Sequence, residues 1–207
     1  MEYSPLLLAL LVVTGFVAGI INTLAGGGSS LTIPALMILG LPADVANATN
    51  RVGVTLQCLV GTAGFKKAGK LETADIGPVL LPTLAGGLLG AVLAAFMPLT
   101  VLKPVLLSSM VLMALIILIR PAVIAPPEGT PHRKVGESPQ GFVALFIAGI
   151  YGGFVQAGVG FILIAALAGS LRYDLVRSNA LKMVCTLAFT SVALAVFVVQ
   201  DLILWVP

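Results

Sequence analysis

The residues best placed for chemistry are two cations set deep in apolar sequence, Arg51 and Lys182. Arg51 follows Asp44 by seven residues, about 10 Å along a helix; Lys182 follows Asp174 by eight, about 12 Å. Half a hydrocarbon core is about 15 Å, so both approach the midplane if each Asp opens a membrane-crossing helix. A cation at that depth faces a partner or a water-filled cavity, unless its long side chain snorkels back to the nearer interface. Neutral hydrogen-bonding residues accompany them: Asn47, Thr49, Asn50 and Gln57 near the first, Ser178 and Asn179 near the second. The eight acids, Glu2, Asp44, Glu72, Asp75, Glu128, Glu137, Asp174 and Asp201, all fall at segment ends or in loops. Two deep cations without a deep carboxylate suit a small anion and argue against a carboxylate-lined cation path.

The second feature is a break. Asn22-Thr23-Leu24-Ala25-Gly26-Gly27-Gly28-Ser29-Ser30 interrupts apolar sequence running from Leu6 to Leu41. Non-helical backbone at membrane depth is tolerated only where protein covers it or where it lines a cavity. A helix starting after Gly28 aims N–H groups and a positive dipole end into the break, which favours an anion. Gln156, Gly158 and Gly160 make a corresponding break later in the chain, with fewer polar side chains. Close helix packing explains Gly86, Gly87 and Gly90 well. It explains three consecutive glycines less well, because such a run weakens a helix more than packing requires.

These residues need a membrane scaffold. The chain is 59% hydrophobic and 9% charged, with mean hydropathy +1.14. Eight apolar segments are expected, at about 5–26, 29–41, 45–64, 76–97, 100–120, 141–158, 160–171 and 175–199. The second and seventh are too short to cross unaided. Asp44 and Asp174 read as N-caps of the third and eighth. The Pro-rich stretch 121–140 reads as a linker between two similar halves, each with a Gly-rich break, a short apolar segment, an Asp and then an Asn on a long helix. Lys66, Lys67, Lys70, Arg120, Arg133, Lys134, Arg172 and Arg177 place their loops in the cytoplasm and the N-terminus outside. The expected fold is an all-α, polytopic membrane protein with two inverted repeats: a first transmembrane repeat over 1–120, a cytoplasmic linker over 121–140 and a truncated second repeat over 141–207. The alternative is parallel repeats with re-entrant short segments. No cleavable signal peptide is evident. The early stop suggests a fragment, a truncated product or a chain completed by a partner.

Other chemistry is poorly supported. Cys58 and Cys185 lie in apolar helical sequence and read as buried thiols. His132 reads as a solvated linker residue. There is no metal-ligand cluster and no Ser-His-Asp set, GGGSS lacks the Lys of a phosphate-binding loop, and no cofactor is implied. The basic residues sit mostly at segment ends, which gives no support to a nucleic-acid surface.

With these residues in view, the sequence resembles the TauE/SafE family of membrane transporters, also called the sulfite-exporter or toluene-sulfonate-permease family. The resemblance lies in Gly19, Asn22-Thr23, Gly26-Gly27-Gly28-Ser29, Pro34 and Ala48-Thr49-Asn50-Arg51. It continues more loosely in Gly152-Gly153, Gly158, Gly160 and Val176-Arg177-Ser178-Asn179-Ala180-Leu181-Lys182. In the second half Phe161 replaces the third glycine, and no proline matches Pro34. The resemblance implies transport of sulfite, organosulfonates or related sulfur-containing anions. The resulting expectation is a non-enzymatic secondary transporter, multi-pass in the cell membrane (the inner membrane in a bacterium). Its substrate would meet Asn22, Thr23, Gly26, Gly27, Gly28, Ser29, Asn50, Arg51, Gln156, Gly158, Gly160, Asn179 and Lys182. Partners would be the anion, the lipid bilayer and either further copies of the chain or a completing subunit. The rival readings are an intramembrane sulfur-transfer protein using Cys58 or Cys185, and a non-transporting assembly subunit.

Overall fold

The computed structural model describes residues 5–24, 26–119, 126–127 and 130–205, without the side chains of 5–8 and 117–119. Glu2, Arg120, Glu128 and the start of the linker lie outside the described residues. Among the described residues there are eight α-helices and no strand. They are α1 (Pro5–Leu24), α2 (Ser29–Ile38), α3 (Ala43–Lys67), α4 (Ile76–Phe96), α5 (Leu99–Ile119), α6 (Pro139–Phe154), α7 (Val159–Ile164) and α8 (Leu175–Val199). A π-helical turn, Ala165–Ser170, continues α7.

All eight expected segments are helical, and the differences at their ends have local causes. Asp44 is not the cap of α3. Pro42 occupies that position, the helix begins at Ala43, and the Asp44 carboxylate accepts from the neighbouring Val45 N–H at 2.8 Å. Asp174 does cap α8, accepting from Arg177 N–H at 2.9 Å. The second segment stops at Ile38 because Gly40 turns left-handed (φ +96°), letting Leu41 N–H close on Leu36 C=O.

Thr73–Phe96, Leu99–Ile116 and Leu175–Val199 are long and apolar enough to cross a membrane. Helix α3 has 25 residues but carries Asn47, Asn50, Arg51 and Gln57. Leu81, Val111, Leu112, Val143 and Ile147 stand exposed on the outer faces. Apolar exposure of this extent fits lipid.

Helix α4 packs centrally, against α6 and α8. Small residues four apart allow its backbone to approach α6 closely. A Cβ at Gly86 or Gly90 would land on the Phe146 or Ile150 carbonyl, and one at Gly149 or Gly153 on the Thr83 or Gly87 carbonyl. Phe189 of α8 fills the space left beside Gly87 and Gly152. Buried Leu145, Leu163, Leu167 and Leu171 complete this core.

Outside the helical core, His132 is not a solvated linker residue. It stacks on Tyr173, ring centroids 4.5 Å apart, and its Nε2 lies 3.4 Å from Asp75 Oδ2. Arg177 bridges Glu72 (2.7 Å) and Asp174 (3.4 Å) beside it. Burial, and then the nearby carboxylates of Asp75 and Glu72, push the Tyr173 phenol above its ordinary range.

Candidate functional site

Helix α1 stops at Leu24 and α2 starts at Ser29, so the expected break is present. Gly26 takes φ +89°, and its N–H closes on Ile21 C=O at 3.1 Å. Its own carbonyl accepts from Gly160 N–H at 3.3 Å. A Cβ on Gly26 would fall on the Gly160 Cα, and one on Gly27 would meet the Phe161 ring at 2.9 Å. The two breaks therefore abut, backbone on backbone. Glycine is required at Gly26 both for its φ and for this approach.

Beside the first break, α1, α2 and α3 line an open-sided cavity of about 620 Å³. Its polar lining is Asn22, Thr23, Ser29, Thr32, Asn50 and Gln57, and among the described residues no charged side chain lines it. These groups form two short networks. Thr32 Oγ1 donates to Asn50 Oδ1, and Asn50 Nδ2 donates to Ser29 Oγ at 3.0 Å. Gln57 Nε2 donates to Gly19 C=O at 2.7 Å and to Thr23 Oγ1 at 2.9 Å. A carbonyl can only accept, so it fixes the orientation of the Gln57 amide. Gln57 Oε1 must then accept, and it does so from Asn22 Nδ2 at 2.9 Å.

Both deep cations are buried, and neither snorkels: Arg51 is 0% exposed and Lys182 1%. Lys182 Nζ donates to Asn22 C=O (3.2 Å), Thr23 C=O (3.0 Å) and Asn179 Oδ1 (2.7 Å). It thus caps the C-terminal end of α1 from behind the cavity wall. Arg51 does the same for α6, donating to Gly152 C=O (3.0 Å), Gly153 C=O (2.6 Å) and, more weakly, Phe154 C=O (3.4 Å). Asn47 joins it at Phe154 C=O (2.9 Å), and the guanidinium lies 5.1 Å from the Phe197 ring centroid. The arrangement is reciprocal: the long helix after each break holds the carbonyl end of the other broken helix. A cation there opposes the half-charge of the dipole end.

The expected site residues thus fall into four places. Asn22, Thr23, Gly28, Ser29 and Asn50 line the cavity. Lys182 stands behind it on the α1 carbonyls, with Asn179 Oδ1 accepting from its ammonium, and Gly26, Gly27 and Gly160 make the contact between breaks. Arg51 and Gln156 lie at the second break, where Gln156 (φ +66°) donates to Thr190 Oγ1 at 3.3 Å. Gly158 (φ +77°) abuts Met113. Thr32 also lines the cavity, although it lies outside the Gly-rich motif. It lies three residues after Ser29, on the same face of α2, and that spacing was a usable signal. Gln57, seven residues after Asn50, repeats the same face of α3.

The family model for sulfite exporter TauE/SafE matches residues 11–207. The chain belongs to the TauE/SafE family. A probable membrane transporter protein from Haemophilus influenzae is 30% identical over 201 residues, covering 96% of this chain and 77% of that protein. The probable membrane transporter protein ORF9 of a Sinorhizobium species is 27% identical, covering 96% and 75%. Escherichia coli K12 YfcA, also named a probable membrane transporter protein, is 27% identical, covering 98% and 74%. This TauE/SafE chain accordingly spans about three-quarters of their length. No solved structure matches it. Family and relatives together make it a multi-pass membrane transporter protein.

Proposed function

We propose that this chain carries a small sulfur-containing anion, sulfite or an organosulfonate, across the cell membrane, binding it in the cavity at the first break. One observation carries the reading: the ammonium of Lys182 is bonded to the main chain of Asn22 and Thr23, two residues of a cavity wall that holds no carboxylate. The helix ends contribute about −0.5 charge from α1 and +0.5 from α2, which cancel, so Lys182 leaves the cavity with a net surplus of about one positive charge. That balance favours a monovalent anion such as bisulfite or a sulfonate. The Asn22, Asn50 and Ser29 side chains offer N–H and O–H donors to its oxygens. The second break, where Asn47 and Arg51 bond Phe154 C=O and Thr190 accepts from Gln156, is the counterpart of the first.

The test is flux into proteoliposomes. Labelled sulfite should enter in a saturable manner and be displaced by short alkylsulfonates more strongly than by chloride. Absence of sulfite and sulfonate flux, or equal displacement by chloride, overturns the proposal. Neither Cys58 nor Cys185 is among the lining residues. Flux should therefore survive Cys→Ser at both positions, whereas its loss would favour sulfur transfer.

A further inference from the structure

The three oxygens around Lys182 form a cage with a chemistry of its own. Asn22 C=O and Thr23 C=O come from the end of α1, and Asn179 Oδ1 from α8, one turn before the lysine. All are neutral and point at one centre, with N–O distances of 2.7–3.2 Å. Carbonyl and amide oxygens converging in this way replace the hydration shell of a monovalent cation. The spacing suits an ammonium or potassium ion and is wide for a closely ligated sodium ion. No carboxylate takes part, so the cage is also weak for a divalent ion. The negative dipole end of α1 adds to its preference for a cation.

We propose that this cage is a monovalent-cation site of ammonium or potassium size that the chain keeps permanently filled with its own Lys182 Nζ. The side chain is a tethered counterpart of a free coupling cation, and it fixes the end of α1, and with it Asn22 and Thr23, at the cavity wall. The Arg51 cage is different in kind. A planar guanidinium spreads over Gly152, Gly153 and Phe154 and lies against Phe197, a shape that a spherical ion does not reproduce. The oxygens around Lys182 make a cation site whatever anion occupies the cavity.

The experiment empties the cage and offers it an ion. Lys182→Ala, Lys182→Met and the parent are purified in detergent, and thermal unfolding is compared in ammonium, potassium and choline chloride at equal ionic strength. Lys182→Ala should gain roughly 3–6 °C in ammonium or potassium over choline at about tenfold excess over the dissociation constant. Lys182→Met, whose unbranched stem still fills the space, should show no such gain, and neither should the parent. A Lys182→Ala protein that folds only when purified in ammonium or potassium also supports the site. Three results overturn it: an equal gain in all three proteins, an equal gain in Lys182→Met and Lys182→Ala, or no gain or rescue of Lys182→Ala by either ion. The readout does not involve anion flux, so a wrong cargo assignment leaves it unaffected.

Discussion

Replacing Gly26 with alanine tests the contact on which the site is built. Two costs can be separated. Gly26 has φ +89°, and a side chain in the left-handed region costs about 1–2 kcal/mol. Its Cβ would also fall on the Gly160 Cα, and backbone cannot step aside as a flexible side chain does. Overpacking of this kind costs about 1–3 kcal/mol. Gly40 has nearly the same φ, +96°, and a Cβ there would meet nothing within 4 Å, so Gly40→Ala bears the first cost alone. Gly19 lies inside α1 with open space around it, so Gly19→Ala should be neutral or gain up to about 1 kcal/mol from helix propensity. The expected order of stability is Gly19→Ala, then Gly40→Ala, then Gly26→Ala. The last two should differ by about 1–3 kcal/mol, roughly 2–12 °C in unfolding midpoint. Thermal unfolding in one detergent, followed by Trp205 fluorescence, measures all three. If Gly26→Ala unfolds with Gly40→Ala, the two breaks do not abut and the geometry of the site is wrong.

Two further outcomes are expected. Gln57→Leu removes the donor to Gly19 C=O and Thr23 and the acceptor for Asn22, so half-saturation of anion flux should rise by about tenfold, the worth of one buried hydrogen bond; unchanged flux would separate this network from the cargo. In a protein lacking Cys58 and Cys185, cysteine at exposed position 201 should react with an impermeant reagent from outside, and cysteine at exposed position 134 should not; reaction of both from one side would refute the inverted arrangement.

The positions of the helices were legible because hydropathy, Gly and Asp act locally. The break at Gly26–Gly28 and the cap at Asp174 are examples. Asp44 failed as a cap for an equally local reason: Pro42 can start a helix two residues earlier, and the acid then lies within the first turn. Arg51 and Lys182 are both buried, but their partners were not legible in the sequence. Lys182 meets α1 residues about 160 positions away, and Arg51 meets α6 about 100 positions away. Nothing in local spacing encodes such pairs. Asn50 and Arg51 show the limit clearly. They are adjacent in the motif, but neighbours on a helix point about 100° apart. Asn50 therefore reaches Ser29 and Thr32 across the cavity, while Arg51 reaches the end of α6.

That divergence bears on how the two breaks can move. Lys182 engages the end of α1 and Arg51 the end of α6, and both engagements cross between the parts of the chain that carry the two breaks. Lys182 makes two such bonds, to Asn22 and Thr23, and Arg51 two short ones, to Gly152 and Gly153. A buried bond to a charged group is worth about 1.5–3 kcal/mol, so parting the halves at this seam would forfeit about 6–12 kcal/mol. A state that far uphill is populated less than about once in 10⁴ molecules. Helix α1 is the contrast. It contacts few elements, and Phe16, Ile20 and Leu24, which help to line the cavity, are otherwise exposed. Opening the cavity by tilting the outer part of α1 about its Lys182-held end breaks none of these four bonds. Rearrangement around the cavity is therefore far less costly with the cation seam as a fixed pivot than with the seam as the place that opens.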